Sequence, residues 1–185
     1  MLDRNLTSDA IIAATTEVFT TMLSDDPHAG MPYAERNANG LADGVVSLIG
    51  LTGQWLGTGM VTCSASLACK LSATLLLSDP VEGQCTVNEE VLDAVAEITN
   101  MIIGNVKNSL EGAVGELDLS IPTVVYGKNL TTRSMNDGEW TVVPFDCFGD
   151  RLEVKLCMVP NMGKSGQRPA LALTQTSGNA LHHST

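Results

Sequence analysis

Apolar residues recur along this chain in two rhythms, and the switches between them mark its elements. Residues 5–23 carry Ile11, Ile12, Val18, Phe19, Met22 and Leu23 at spacings that gather on one side of an α-helix, with Ser8 available as its N-cap. The next stretch, SDDPHAGMPYAERNANG, combines prolines and glycines without any period and reads as an irregular loop. VVSLIGLTGQWLGTGMVTCS then reads as two strands hinged at Leu51-Thr52-Gly53, with Gly57 and Gly59 inside the second. Ser64 is placed to cap a helix that runs to Leu77 and is stopped by Asp79-Pro80, with Leu67, Leu71 and Leu75 on one face.

The strongest helical period follows. Thr86 and Glu89 have the spacing of a capping box, the helix extends from Asn88 past Leu110, and Gly112 and Gly115 close it. Three strand candidates come next, in LDLSIPTVVYGK, EWTVVPFDCF and RLEVKLCMVP, with Gly149-Asp150 turning the last two into a hairpin. From Asn161 to Thr185 the period is lost and small polar residues dominate, which reads as a flexible C-terminal tail. Hairpins on either side of two consecutive helices call for an antiparallel sheet covered by helices, hence an α+β class rather than repeated βαβ units. With 185 residues, 44% of them hydrophobic, the chain suits one domain over residues 1–160 with its core in 44–160.

Charge narrows the function classes. Ten basic against 21 acidic residues give a net charge of -11, and the basic ones are scattered, so nucleic acid is not an expected partner. The N-terminus lacks a signal-peptide pattern and no apolar run is long enough to insert in a membrane, so a cytoplasmic protein is expected. The cysteines (Cys63, Cys69, Cys85, Cys147, Cys157) show no C-x-x-C pair and no histidine at ligand spacing. They read as buried thiols in a reducing compartment, with no metal site. His28, His182 and His183 have no partner that would make them bases or ligands, and Gly57-Thr58-Gly59 lacks the lysine and helix start of a phosphate loop.

The candidate chemistry lies on the long helix. At about 100° per residue, Val91, Val95, Ile98, Ile102, Val106 and Leu110 form a core-facing stripe, while Asp93, Glu97, Asn100, Gly104 and Asn108 fall on another. A carboxylate and an amide one turn apart fit either a solvated face or a reactive one. Gly104 adds information, because a glycine inside a helix costs about 0.5–1 kcal/mol relative to alanine. Either tight packing on the sheet or the close approach of another surface would account for it.

The pattern Asp93-x-x-x-Glu97-x-x-Asn100, followed by Pro122 in SIPTVV, resembles the signature of the CheC/CheX/FliY phosphatases of bacterial chemotaxis, and most nearly the CheX branch. GLTGQWLGTGMVTCS is similar to that family's early hairpin, EVLDAVAEITNMIIGNVKNSL to its active-site helix and LDLSIPTVV to the strand after it, so the likeness spans residues 44–160. Two features depart from the pattern. The 21 residues between Asn100 and Pro122 are one fewer than usual, and the first helix offers Glu17 and Thr20 where a second site would need an asparagine.

The resemblance implies an α+β fold, a homodimer, one site per chain, and removal of phosphate from the phospho-aspartate of a CheY-like response regulator. In that role Asn100 would orient the attacking water and Glu97 would pair with the regulator's active-site lysine, with Asp93, Gly104 and Asn108 at the docking face. No cofactor of its own is implied, since Mg²⁺ would belong to the partner. Two alternatives compete: a non-catalytic adaptor of the same fold, such as a motor-switch protein, and an enzyme acting on a small phosphate. The second has neither a basic cluster nor metal ligands in the sequence to support it.

Overall fold

A computed structural model describes residues 2–36, 43–78, 86–128, 130–134, 138–163 and 171–175. It is an α+β structure in which helices pack on an antiparallel sheet. Helix α1 (Arg4–Val18) runs into a π-helical turn, Phe19–Leu23. Two short strands follow, β1 (His28–Ala29) and β2 (Tyr33–Glu35), then the hairpin β3 (Asp43–Gly53) and β4 (Trp55–Cys63). Helices α2 (Ala65–Leu75) and α3 (Glu89–Val114) precede β5 (Leu117–Leu119), β6 (Thr123–Lys128), β7 (Leu130–Ser134), β8 (Trp140–Cys147), β9 (Asp150–Pro160) and β10 (Leu171–Gln175). The main sheet has eight strands in the order β1-β8-β9-β4-β3-β5, with β2 also on β8 and β6 also on β3, while β7 pairs with β10 apart from it.

Several sequence expectations shift at element ends. The N-cap of α1 is Asp3, whose carboxylate accepts from Asn5 N; Ser8 is buried one turn inside and donates to Asn5 O. Likewise Asn88, not Thr86, caps α3, accepting from Val91 N at 3.0 Å. An Asn immediately before the first helical residue competes successfully with a Thr two positions further out. Helix α2 is capped by Ser64 as expected but stops at Leu75, and Asp79-Pro80 lies outside the described residues. The segment read as a loop before β3 supplies β1 and β2, and their pairing with β8, more than 100 residues away, has no local signal. Within the expected tail, Leu171–Gln175 is a strand paired with β7. Cys63, Cys147 and Cys157 are buried thiols, whereas Cys69 is disulfide-bonded, since a pairing needs spatial approach and not short spacing; Cys85 lies outside the described residues.

The principal core lies between the helices and one face of the sheet. Ile98, Ile102, Val106 and Leu110 of α3 are wholly buried there with Ile11, Phe19, Val45, Leu51 and Leu67. One position sets how closely α3 approaches. A Cβ on Gly59 of β4 would lie 2.7 Å from Ile103 Cδ1, so the Ile103 side chain occupies the space that any other residue at 59 would fill. The ladder β3–β4–β9 runs through Gly57 and Gly59 without a slip, so close contact rather than a bulge accounts for them.

The opposite face is also buried. Val46, Leu48, Met60, Trp140, Val142 and Cys157 form a second cluster there, because successive strand residues alternate between faces. On that face Lys155, 2% exposed, is ion-paired with Glu35 at 3.3 Å and Glu153 at 3.0 Å. Tyr33 Oη donates to Glu153 Oε1 at 3.1 Å, so the network ties β2 to β9 by side chains while β8 holds it by backbone pairing. Pairing with two carboxylates offsets the cost of taking the lysine head group out of water.

Candidate active site

Helix α3 carries its two stripes as the spacing predicts. Val91, Val95, Ile98, Ile102, Val106 and Leu110 are buried, and Asp93, Glu97, Asn100 and Asn108 are exposed. The side chains of Asp93, Glu97 and Asn100 have no hydrogen-bond or ion-pair partner among the described residues. Glu17 and Thr20 on α1 differ: the Glu17 carboxylate accepts from Asn105 Nδ2 at 3.2 Å, and Thr20 Oγ1 donates to the carbonyls of Thr16 and Glu17. Of the two Glu-x-x pairs, only that on α3 has both polar heads available.

Two grooves meet at Asn100. One, of about 300 Å³, is lined by Asp93, Glu97 and Asn100 on the α3 side and by Ser120, Ile121 and Pro122 on the other. The second, of about 390 Å³, continues along α3 past Gly104, Lys107 and Asn108 and is bounded by Leu117 and Asp118. Leu119 lines both. Pro122, distant in sequence, thus joins the Asp93, Glu97, Asn100 set in space. It lies just before β6 and not within a strand, so its missing N–H takes no bond from the β3–β6 ladder.

Of the Ser120-Ile121-Pro122 segment only Pro122 was singled out in sequence, yet all three line the groove across from the helix. Ser120 is bolted to β3: its N–H donates to Gly50 O at 2.9 Å, its Oγ accepts from Gly50 N at 2.8 Å, and its hydroxyl donates to Ile121 O at 3.1 Å. The tight packing offered as one account of Gly104 is not met. A Cβ there would have only Leu119 Cδ1 within reach, at 4.0 Å, so none of the described residues requires the glycine. Asn108 accepts weakly from Lys107 Nζ at 3.5 Å, and Lys107 is ion-paired with Glu111 at 2.8 Å. No group of metal-ligating side chains occurs among the described residues, and no helix among them is long and apolar enough to cross a membrane.

An exposed amide and carboxylate one turn apart on a helix, facing a proline-containing wall, can together hold and orient a water beside a bound electrophile. Known proteins share this arrangement of elements. The curated relative CheY-P phosphatase CheX from Thermotoga maritima is 26% identical over 142 residues, covering 77% of this chain and 88% of that protein. The crystal structure of the chemotaxis protein CheX from Desulfovibrio desulfuricans superposes with a TM-score of 0.72 at 25% identity, covering 83% of this chain and 99% of the other. The CheX–CheY–BeF3–Mg2+ complex from Borrelia burgdorferi matches in fold, with a TM-score of 0.64 at 23% identity over 82% of this chain and 97% of that one. The Chemotaxis phosphatase CheX family matches residues 45–146, more than half the chain, and this protein belongs to that family.

Proposed function

We propose that this chain hydrolyses the phospho-aspartate of a CheY-like response regulator. The observation that carries the reading is the unpartnered Glu97 and Asn100 on one exposed groove of a CheX-family chain. The Thermotoga relative is named for CheY-P hydrolysis, and the Borrelia one is bound to CheY with BeF3 and Mg2+, a combination that stands in for a metal-bound phosphoryl group.

The chemistry asks little of this chain. An acyl phosphate is already activated, and the step needs a water oxygen in line with phosphorus. That oxygen bonds to phosphorus as the bond from phosphorus to the aspartyl oxygen breaks, giving inorganic phosphate and a regenerated carboxylate, while the water proton leaves to the phosphate and solvent. The Asn100 amide orients the water by accepting and donating hydrogen bonds without bringing negative charge to an anionic centre. Glu97, one turn earlier, pairs with the regulator's active-site lysine and fixes the docking register. Asp93, Gly104 and Asn108 border the same docking face, and the Mg²⁺ that neutralises phosphate charge belongs to the regulator. The protein acts in the cytoplasm as a homodimer, and sedimentation at the mass of one chain would overturn that last element.

The test measures phosphate release from phosphorylated regulators of the same genome. Wild type accelerates release from its partner, and Asn100→Ala loses on the order of 100-fold in turnover while still binding. Undiminished turnover in Asn100→Ala would remove the role assigned to the amide, and binding without any hydrolysis by wild type would establish the adaptor reading instead.

A further inference from the structure

Ile121 is 88% exposed, and it stands on the wall across from Glu97 and Asn100. A single exposed isoleucine is unremarked on most protein surfaces. Two observations set this one apart. Its backbone is fixed on both sides, by the hydrogen bonds of Ser120 to Gly50 and to Ile121's own carbonyl and by the ring of Pro122. Apart from Ala96, the α3 residues lining the groove across from it are polar, Asp93, Glu97 and Asn100, and even with Leu119 in the same groove its side chain gets little cover from the described residues.

We infer that Ile121 is the apolar anchor on which the phosphorylated regulator seats, and that it sets which regulators are accepted; this rests on the function proposed above. The argument is one of clearance. An aspartyl phosphate sits within its own protein's surface, so Asn100 reaches the phosphorus only if that surface comes into van der Waals contact with the rim of the groove. The protruding Ile121 meets that surface before Asn100 meets the phosphate. It therefore either enters an apolar recess beside the phosphorylation site or blocks approach. A regulator with such a recess gains burial of a pre-ordered side chain, at little entropic cost because Ser120 and Pro122 hold the backbone already. One with a charged or bulky residue there is refused, which is discrimination by steric exclusion. A free small acyl phosphate has no surrounding surface and needs none of this.

The experiment titrates the partner regulator, held in its active form with beryllofluoride and Mg²⁺, against wild type and Ile121→Ala, Ile121→Asp and Ile121→Leu, with thermal unfolding as the folding control. Ile121→Ala weakens Kd by about tenfold or more, Ile121→Asp further, and Ile121→Leu stays within about threefold of wild type. In turnover assays the loss falls in KM rather than kcat, opposite to Asn100→Ala. Equal affinity of wild type and Ile121→Ala, with wild type active, would overturn the anchor while leaving the phosphatase reading intact. Failure of wild type to bind any regulator of the same genome would overturn both.

Discussion

Replacing Gly104 by alanine separates what this chain needs from what its partner needs. A methyl at that position meets nothing nearer than Leu119 Cδ1 at 4.0 Å, an ordinary van der Waals contact, so it brings no internal clash. Restricting the unfolded backbone and improving helix propensity then stabilise the protein by about 0.5–1 kcal/mol. For a chain of this length that corresponds to a rise in Tm of roughly 1–4 °C. Docking responds with the opposite sign. If the regulator's surface lies along the groove that passes Gly104, a methyl inserted into a close-packed interface costs about 1–3 kcal/mol, weakening Kd by about fivefold to a hundredfold. Differential scanning fluorimetry and fluorescence anisotropy with a beryllofluoride-activated regulator read the two quantities on one preparation. A fall in Tm would refute the clearance inside the chain, and a raised Tm with unchanged Kd would refute the approach of a partner at Gly104.

Glu97→Ala lowers both affinity and turnover, and the affinity difference from wild type shrinks as salt rises, because the lost contact is ionic; a salt-independent difference would count against a lysine partner. Stability against pH reports on the face behind the sheet. Burial alone would raise the Glu153 carboxyl, but the Lys155 ammonium and Arg151 guanidinium outweigh it and hold Glu153 below the usual carboxylate range. Its folded value is then lower than its unfolded one, so its stabilisation is complete above about pH 4.3 and is lost as pH falls through the folded value. Urea midpoints measured between about pH 6 and about pH 3 should decline less steeply for Glu153→Gln than for wild type, and parallel curves would remove Glu153 from that account.

The division of α3 into a core stripe and a polar stripe was legible because helical period is a local property. The chemistry proposed for the polar stripe rests on resemblance, since an amide and a carboxylate one turn apart also describe a solvated face. What sequence did not show shares a non-local origin. Strands β1 and β2 exist by pairing with β8, and nothing within HAGMPYAE announces a partner more than 100 residues away. The run VVSLIG conceals that Val46 and Leu48 face one cluster while Val45 and Ile49 face another, because a strand buried on both faces loses its alternation. The Ser120-Ile121-Pro122 wall depends on a hydroxyl meeting Gly50 in another strand, and LDLSIPTVVYGK reads in sequence as one strand running through it, where the structure has β5 and β6 with the wall between them. Two N-caps were misplaced for another reason: Asp3, five residues before Ser8, and Asn88, two residues after Thr86, carry side chains equally able to cap, and the helix starts decided between them.

The seat of Ile103 over Gly59 links two inherited positions that a reader of sequence would treat as independent. A lineage can enlarge residue 59 only after residue 103 has shrunk, and the reverse order passes through a chain whose α3 is lifted off the sheet. Since Ile103 lies between Asn100 and Gly104, such drift would tilt the groove without altering any residue that lines it. Two descendants of this protein could keep the same Asp93, Glu97, Asn100 and Pro122 and still diverge in the regulators they fit, with the change written on the buried side of the helix.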